Sequence, residues 1–410
     1  MNRGDVSSHA GRIRIALLGN MNNNHFALAQ YLRMYGYDCM LLLFDCEQDH
    51  FLPSCDAYDT SYMAWTKTLS WGSARGFMGT SRSVISADLS DYDVIIGCGL
   101  SPAFCNKAGI NLDVMVPYGS DIWLETMFRL VSLHTLPSVW LSVLMQRIGL
   151  GEVNVLHSSI TNDTYEKQIQ RYSRRAKRWY EGVPMVFAPN YEKNENLINK
   201  THWGFEFLRI RKSCEFMVIA HSRHIWTDPN NMSSKGNDML IKGWALFCEQ
   251  TPDIKKQLIL IEYGKDVLMS KQYVKELGIE DSVTWLPKMY RKDIMPGLFM
   301  ADMVAAEFVH SWMTGGVLYE ALVAGKPILT YRDDALYRQE YPSLYPIYNA
   351  NTPQTIKSRL EEYLDNPEAG KKFGLLGRKW YEEEVVTKAV SKYSQYIDRR
   401  ASEIGKLAHH

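Results

Sequence analysis

The sequence has no excess of charge of either sign. Its 410 residues include 46 Lys and Arg and 46 Asp and Glu, so the formal net charge is zero. Because a general nucleic-acid binder carries a basic excess, this balance argues against nucleic acid as a partner. Hydrophobic residues make up 46% of the chain and charged residues 22%, which is typical of a globular protein. The length is enough for two domains, each with its own core.

Cysteine spacings typical of metal sites are absent. The seven cysteines form no CxxC pair and no Cys/His set. They lie in apolar or mixed stretches, which favours reduced thiols in a cytosolic protein.

Long apolar runs are absent as well. No stretch reaches the roughly 18 to 20 apolar residues that a membrane-spanning helix needs. The first residues, MNRGDVSSHAGR, are polar and lack the apolar segment of a signal peptide. We therefore expect a cytoplasmic protein.

The chain does contain short apolar strands that alternate with helical segments, a pattern typical of α/β domains with parallel sheets. IRIALLG at 13–19 predicts a buried first strand, and NMNNN follows as a polar loop. A helix is predicted at 25–37 and a strand at 39–44, with further strands at 92–99 and 113–119. The loops at the carboxyl ends of parallel strands line the ligand crevice, so candidate site residues follow these strands.

A second series of strands begins after the polar stretch PNYEKNENLINKTHWG at 189–204, which we interpret as an interdomain linker. Its strands are predicted at 214–223, 257–264, 282–287, 301–308 and 326–331.

A basic motif follows the first strand of this second series. In SRHIWTDPNNMSSKGNDMLIKGW, Arg223 comes directly after the strand and Lys235-Gly236 opens a helix. An arginine, a lysine and a helix N-terminus can converge on one phosphate group. The motif is equally consistent with Arg223 and Lys235 being solvated surface residues without a ligand.

The stretch HSWMTGGVLYEALVAGKP, residues 310–327, changes that balance. Gly315 and Gly316 form a turn at a predicted helix start, where free N–H groups can meet a diphosphate. Glu320 lies one turn further along and has apolar neighbours nearly all round, so its carboxylate needs a partner. Such a carboxylate can accept hydrogen bonds from the two hydroxyls of a ribose.

Three stretches of the second series together resemble a known family. SRH…SSKGNDMLIKGW, LPKMYRKDIMPGLFMADMVAAEF and TGGVLYEALVAGKPILTY follow in the order and spacing of the retaining glycosyltransferases of the GT-B fold, the family-4-like glycosyl transferases group 1. That group includes sucrose-phosphate and mannosyl transferases. The resemblance is specific from about 215 to 331, and the N-terminal domain matches only in outline.

The resemblance implies two Rossmann-like α/β domains facing a central cleft. The acceptor-binding domain is expected at 1–195, the donor-binding domain at 205–375, and a helix at about 380–408 is expected to return to the first domain. Arg223 and Lys235 would contact the donor diphosphate and stabilise the leaving group, and Glu320 would bind the ribose. The implied donor-binding residues are Arg223, His224, Lys235, Gly236, Trp312, Thr314, Gly315, Gly316, Val317 and Glu320.

Trp312 departs from the family pattern. The family often carries two glutamates eight positions apart; Glu320 matches the second, and Trp312 stands in place of the first. A tryptophan cannot act as a carboxylate, but it can stack on a sugar face or close the pocket. Simple packing of the indole explains the residue equally well.

Candidates for acceptor binding lie after strands of the first series. Asp121 can orient or deprotonate a hydroxyl, although an aspartate at this place is also a common helix N-cap. The expected acceptor-binding residues are Gly19, Asn20, Asn22, Asn23, Ser120 and Asp121, and the expected catalytic residues are Asp121, Arg223 and Lys235.

Other polar residues rank lower. His25 and His157 are interpreted as structural, whereas His221 and His224 stand beside Arg223 and rank higher. The pair Asp91-x-Asp93 precedes a strand and is interpreted as a turn, so we expect no metal and no cofactor beyond a nucleotide sugar as co-substrate.

A basic, aromatic run lies at 165–182, after an apolar stretch at 123–151. Together they predict a peripheral membrane contact for a lipid-linked acceptor, at the inner face of the cytoplasmic membrane. A solvated helix beside a core helix explains the pattern slightly better.

We therefore predict a metal-independent glycosyltransferase that moves a sugar from a nucleotide-diphosphate sugar to a hydroxyl acceptor, with bacterial surface-glycan synthesis as the role the family suggests. The alternatives are a sugar-nucleotide epimerase of the same fold and a binding protein without turnover. A nicotinamide oxidoreductase is disfavoured because GNMNNN lacks the G-x-G-x-x-G pattern.

Overall fold

A computed structural model of the chain describes residues 13–159, 163–191, 201–228, 230–338 and 341–405. The chain divides into two compact units, Met1–Phe187 with Glu384–His410 (unit 1) and Ala188–Glu383 (unit 2). The sequence placed the first boundary between 195 and 205, and residues 192–200 of that neighbourhood lie outside the described residues.

Unit 1 is built on a parallel sheet. Its strands are β1 (Arg14–Leu18), β2 (Asp38–Leu43), β3 (Thr66–Thr68), β4 (Val94–Gly97), β5 (Val114–Met115), β6 (Val155–His157) and β7 (Lys177–Trp179). They lie side by side in the order β3-β2-β1-β4-β5-β6-β7, with every neighbouring pair parallel. The strand order reverses between β1 and β4, and open parallel sheets bind ligands outside the carboxyl ends of their strands at such a point.

Unit 2 repeats this arrangement. Its strands are β8 (Phe216–Ala220), β9 (Lys256–Glu262), β10 (Val283–Pro287), β11 (Met303–Ala305), β12 (Ile328–Thr330) and β13 (Tyr348–Asn349). Their order is β10-β9-β8-β11-β12-β13, again parallel, so the reversal lies between β8 and β11. The α/β class expected from the sequence is confirmed.

Helices connect the strands. In unit 1 they are Asn24–Met34, Arg82–Leu89, Ser101–Ala108, Ser120–Trp123, Leu136–Glu152, Asp163–Tyr172 and Lys388–Glu403. In unit 2 they are His202–Ser213, Asn237–Gln250, Val267–Glu276, Arg291–Met300, Gly316–Val323, Pro353–Asp365 and Pro367–Trp380. A π-helical segment, Tyr381–Thr387, joins the last two helices of the chain.

The core of unit 2 shows how the sequence pattern forms these layers. All of β8 is buried, as the apolar run FMVIA predicts. The helix Asn237–Gln250 buries one stripe, which includes Leu240, Trp244 and Phe247, in the cluster that also contains Phe216 of β8. Burial of each such side chain stabilises the fold by about 1.5–3 kcal/mol.

The C-terminal helix belongs to unit 1, as the resemblance implied. The Tyr396 hydroxyl donates to Asp113 Oδ1 at 2.8 Å. Tyr393 Oη lies 2.9 Å from His157 Nδ1, and burial lowers the pKa of His157 to about 4. His157 is therefore a buried histidine that holds this helix, consistent with its low rank in the sequence analysis.

Candidate functional site

The loop after β8 carries the first candidate cation. Arg223 is exposed, and among the described residues no hydrogen bond or ion pair engages its guanidinium. The neighbouring Ser222 is buried, and its hydroxyl donates to the Ala306 carbonyl at 3.0 Å. Since Ala306 follows β11, this bond joins the two strand ends at the point where the sheet order reverses.

The helix that starts at Asn237 brings Lys235 to the same place. Lys235 N–H donates to the Ile225 carbonyl at 2.8 Å, and the Lys235 carbonyl accepts from Phe308 N–H at 3.0 Å. The Lys235 ammonium contacts Glu307 Oε1 at 2.5 Å, and both side chains are mostly buried. Lys235 is thus a positioned cation and not a solvated one.

Gly236 is required by this geometry. Its φ of +70° lies in the left-handed region, and a Cβ there would come within 3.0 Å of Phe308 Cβ. Glycine avoids both the backbone strain and the contact, so the helix can start close to the loop after β11.

Glu320 lies at the centre of a second group of charged side chains. Its Oε1 is 2.6 Å from Arg291 Nε, and its Oε2 is 2.6 Å from His221 Nε2. Only 7% of the residue is exposed. Arg291 begins a helix that follows β10, and His221 follows β8, so three different segments meet at one carboxylate.

The surroundings keep this carboxylate ionised. Burial alone would raise the pKa of Glu320, but the charge of Arg291 and the hydrogen bond from His221 outweigh it and lower the pKa to about 2. His221 Nδ1 and Glu307 Oε2 are buried without a hydrogen-bond partner in the described structure. Buried polar atoms are usually paired, so such atoms favour a site that a ligand completes.

The turn before Glu320 supplies backbone donors. The helix Gly316–Val323 begins directly after Gly315, and its first N–H groups have no partner within the helix. A Cβ on Gly316 would lie 4.0 Å from both Arg291 Nη2 and Glu320 Oε1, so the helix start lies beside the charged group. Lys235 pairs with Glu307 and Arg291 with Glu320, and Arg223 is a further cation on the loop after β8, so these segments offer cations and backbone donors of the kind that bind an anion.

The other predicted donor residues occupy different environments. Trp312 is 39% exposed, whereas Thr314 and Val317 are half-buried. His224 is fully buried, its Nδ1 lies 2.8 Å from Ser270 Oγ, and burial lowers the pKa of its imidazole to about 4. Its Nε2 is buried without a hydrogen-bond partner in the described structure, and a role of His224 in donor binding stays a prediction.

In unit 1, Asp121 has a different position from the one expected of an acceptor ligand. Its carboxylate is fully buried and accepts from the backbone N–H groups of Gly99, Tyr118, Gly119 and Ile122 at 3.1–3.3 Å. Burial raises its pKa, and the hydrogen bonds from these four donors offset only part of that rise, so the pKa is about 7. With no exposed surface, Asp121 organises the loop after β5, which agrees better with the structural alternative than with catalysis.

The asparagines after β1 are also structural. Asn20 is fully buried; its Nδ2 donates to Asn23 Oδ1 and its Oδ1 accepts from Phe26 N–H. Asn23 donates to Asp56 Oδ1 at 3.0 Å. Asn22 is half-buried with a φ of +55°, so this loop is a tight turn before a helix.

A pocket of about 450 Å³ nevertheless lies at the carboxyl ends of the unit 1 strands. Ser120 lines it, as expected for an acceptor residue, whereas Gly19, Asn20, Asn22, Asn23 and Asp121 do not. Gly19 (φ +78°) instead packs closely against Cys98 and Phe44, two residues that do line the pocket.

Comparisons with known proteins bear on the whole chain. Residues 231–380 match the family described as glycosyl transferases group 1. The matched residues all lie within unit 2. No curated protein matches the chain.

Solved structures extend the likeness to both units of the chain. The Anabaena protein HepE in complex with UDP and glucose is 15% identical, with a TM-score of 0.61, and the match covers 95% of this chain and all of HepE. Sucrose-phosphate synthase from Thermosynechococcus elongatus is 11% identical, with a TM-score of 0.58, over 96% of this chain and all of the synthase. A UDP-forming trehalose-phosphate synthase from Burkholderia xenovorans is 12% identical, with a TM-score of 0.58, over 95% and 99%. At these identities the likeness shows the fold, which is GT-B.

Several residues of the site escaped the sequence analysis. Arg291 stands in the stretch LPKMYRKD and follows the carboxyl end of β10, so its position after a strand was the available signal. Glu307 likewise follows β11. In the unit 1 pocket, Glu47 and the bidentate pair of Glu125 with Arg129 at 3.1 Å were not singled out.

The remaining polar groups do not alter this account. Asp93 accepts from Arg14 N–H at 2.9 Å, at the amino ends of β1 and β4, as expected for a turn. Among the described residues, no group of three or more His, Cys, Asp or Glu side chains could hold a metal ion. A pocket of about 410 Å³ in unit 2, lined by Arg332 and Asn349 among others, includes none of the predicted donor residues.

The coupling of Glu320 to Arg291 predicts a pH-dependent stability. Because the pKa of Glu320 falls from 4.5 to about 2 in the folded protein, its ionised form contributes stability that is present above pH 4.5 and lost as the pH falls towards 2. We expect Glu320→Gln to unfold at a lower urea concentration than wild type at neutral pH, with the difference shrinking as the pH is lowered below 4.5. Urea unfolding followed by circular dichroism measures this difference.

Glu262→Gln is the matched control, since Glu262 pairs with Lys271 on the exposed surface of the same unit. An exposed pair of this kind contributes about 1 kcal/mol or less. Glu320→Ala removes the buried carboxylate that Arg291 and His221 share, and breaking a buried ion pair in this way should cost about 3–5 kcal/mol. Equal, pH-independent effects of Glu320→Gln and Glu262→Gln would contradict the account.

Proposed function

We propose that this protein is a glycosyltransferase that transfers a sugar from a nucleotide-diphosphate sugar to a hydroxyl acceptor. The observation that carries the proposal is the ionised, buried Glu320 beside the helix start at Gly316, with Arg223 and Lys235 on the loop after β8. The match to the glycosyl transferases group 1 family supports the same conclusion.

UDP-sugars are the first donors to test. HepE is described in complexes with UDP and UDP-glucose, and the trehalose-phosphate synthase is described as UDP-forming. In the proposed complex, Arg223, Lys235 and the N–H groups at Gly315-Gly316 bind the diphosphate. Arginine suits the phosphate oxygens as a planar fork, and lysine adds a compact charge.

Glu320 is proposed to bind the ribose. Each of its oxygens uses one lone pair on a protein partner, so each retains capacity for a further hydrogen bond from a ribose hydroxyl. Arg291 and His221 would hold the carboxylate in a fixed orientation, so the ribose meets a preorganised acceptor. This role differs from that of a flexible surface glutamate, which would first have to be ordered.

Catalysis in this proposal is mainly electrostatic. As the glycosidic bond breaks, negative charge grows on the diphosphate, and the positioned cations stabilise it without a metal ion. We propose retention at the anomeric carbon, with the leaving phosphate accepting the proton of the acceptor hydroxyl.

The acceptor is proposed to bind in the unit 1 pocket. Ser120, Tyr118 and Glu47 offer hydrogen-bonding groups there, and Glu125 with Arg129 adds a charged pair. Burial raises the pKa of Glu47, although its carboxylate accepts from Asn20 N–H at 2.7 Å.

We also propose a cytoplasmic location at the inner face of the membrane, in the synthesis of a surface glycan.

Arg223→Ala tests the diphosphate site without disturbing the fold. The side chain is exposed and unpaired among the described residues, so we expect no change in melting temperature. Loss of a charged hydrogen bond should weaken UDP binding about tenfold or more while leaving uridine binding unchanged, because uridine has no phosphate. Isothermal titration calorimetry with UDP, UMP and uridine measures both effects.

Lys372→Ala is the matched control, since Lys372 is an exposed cation of unit 2 distant in sequence from the site. Its UDP affinity should equal that of wild type. An Arg223→Ala variant that binds UDP as tightly as Lys372→Ala would remove Arg223 from the donor site.

Trp312→Ala tests whether the indole contacts the donor sugar. Because Trp312 is 39% exposed, we expect the substitution to leave the melting temperature and the UDP affinity almost unchanged. A stacked sugar would lose about 1 kcal/mol of aromatic contact, so the affinity for the accepted UDP-sugar should fall about fivefold. Trp312→Phe should retain most of the affinity for the UDP-sugar, because its ring can still stack.

Calorimetry with UDP and the UDP-sugar separates the alternatives for Trp312. A lower melting temperature with equal losses for both ligands would identify Trp312 as a packing residue. Release of UDP from the UDP-sugar, measured in parallel, distinguishes an enzyme from a binding protein without turnover.

A further inference from the structure

One face of unit 1 exposes large apolar side chains. On the helix Leu136–Glu152, Trp140, Leu144 and Ile148 are each 43–45% exposed and recur every four residues, so they form one stripe. The preceding loop adds Leu130 at 90% and Leu133 at 82% exposed. Contiguous exposed apolar surface of this kind is rare on a protein that has no partner there. We call these residues, with Phe128, the apolar face.

Exposed cations without an acidic partner among the described residues lie on the segment that follows, residues 165–182. Glu166 pairs with Arg178, and Glu181 pairs with Lys392, so the acidic residues of the segment are already engaged. The exposed cations that remain have no acidic partner among the described residues. They are Lys167, Arg171, Arg174, Arg175 and Lys177, which we call the basic segment.

Arg147 places the two features side by side. Its guanidinium lies 4.6 Å from the ring centre of Phe128 on the apolar face and 5.3 Å from that of Tyr172. Tyr172 is the last residue of the helix Asp163–Tyr172, from which Arg171 extends. Phe128 in turn packs edge-on against Trp140, with ring centres 5.5 Å apart. Apolar and basic groups therefore form one continuous surface.

We propose that this surface docks unit 1 on an anionic lipid bilayer. The loop leucines would enter the region between headgroups and acyl chains, and the basic segment would contact anionic headgroups. Charge complementarity favours this occupant over a second copy of the chain. A symmetric dimer through the same face would bring two sets of unpaired cations together.

The shape of the surface also favours lipid over a protein partner. Leu130 and Leu133 protrude from a loop, with most of each side chain exposed, whereas protein partners are usually anchored by side chains that fill well-packed pockets. No helix of the described residues is long and apolar enough to cross a bilayer, so the contact would be peripheral.

The docking surface adjoins the acceptor pocket. Glu125, Arg129 and Val131 line that pocket, and they are interspersed along the same loop with Phe128, Leu130 and Leu133 of the apolar face. The docked protein would hold the pocket at the bilayer surface, where it fits the polar head of a lipid-anchored acceptor. This last step rests on the proposed function, whereas the docking itself does not.

Vesicle flotation tests the docking without any nucleotide sugar, so its failure is separate from a failure of the proposed reaction. We expect the full chain to float with vesicles of phosphatidylcholine and phosphatidylglycerol, and to float far less with phosphatidylcholine alone. Arg171→Gln/Arg174→Gln should lower the partition coefficient about 30-fold. Leu130→Ser/Leu133→Ser should lower it about 100-fold.

Leu268→Ser and Lys372→Gln are the matched controls, since Leu268 is 80% exposed and both lie on unit 2. They should float like wild type, and all variants should keep the wild-type melting temperature. Absence of flotation, flotation equal on both vesicle types, or equal effects of the control variants would overturn the proposal. So would a dimer in sedimentation velocity that Leu130→Ser/Leu133→Ser dissociates, because the face would then be a protein interface.

Discussion

The interaction on which the site depends is the contact of one buried carboxylate with Arg291 and His221. Glu320 lies on the helix after the Gly315-Gly316 turn, Arg291 on the helix after β10, and His221 directly after β8. These two bonds therefore fix the relative positions of three segments at the carboxyl ends of the strands. Lys235 and Glu307 form a second such link between the loops after β8 and β11. A site that binds an anionic donor would bind it more tightly for this order, because its cations are already held in place by folding and need not be ordered when the donor arrives.

Much of the second unit could be predicted from its sequence. Buried parallel strands are largely apolar, so FMVIA and the LILI of QLILIE were recognisable, and glycines at helix starts marked the two helix N-termini of the predicted site. Short strands such as β3, β7 and β13 were missed, because two or three residues carry no periodicity. Arg291 was missed for a different reason, since its partner Glu320 is 29 residues away and only the fold brings them together.

Unit 1 shows the opposite balance. Asn20, Asn23 and Asp121 were predicted because polar residues after strands can contact a ligand, but in the structure their side chains bond to backbone N–H groups and to a neighbouring carboxylate. The residue type alone cannot distinguish a ligand-binding side chain from a structural one, since what decides is how deeply that side chain is buried. The pocket itself depends on residues distant in sequence, such as Glu47 and Arg129, which no local pattern connects.

Amide hydrogen exchange of the wild-type protein with and without UDP tests the central claim most directly, because it locates the nucleotide. A donor site in unit 2 should slow exchange on UDP binding in residues 221–225, 235–238 and 314–320, the segments that carry Arg223, Lys235 and Glu320. Protection confined to the unit 1 pocket, or no UDP binding under any condition, would contradict the assignment of the donor site to unit 2.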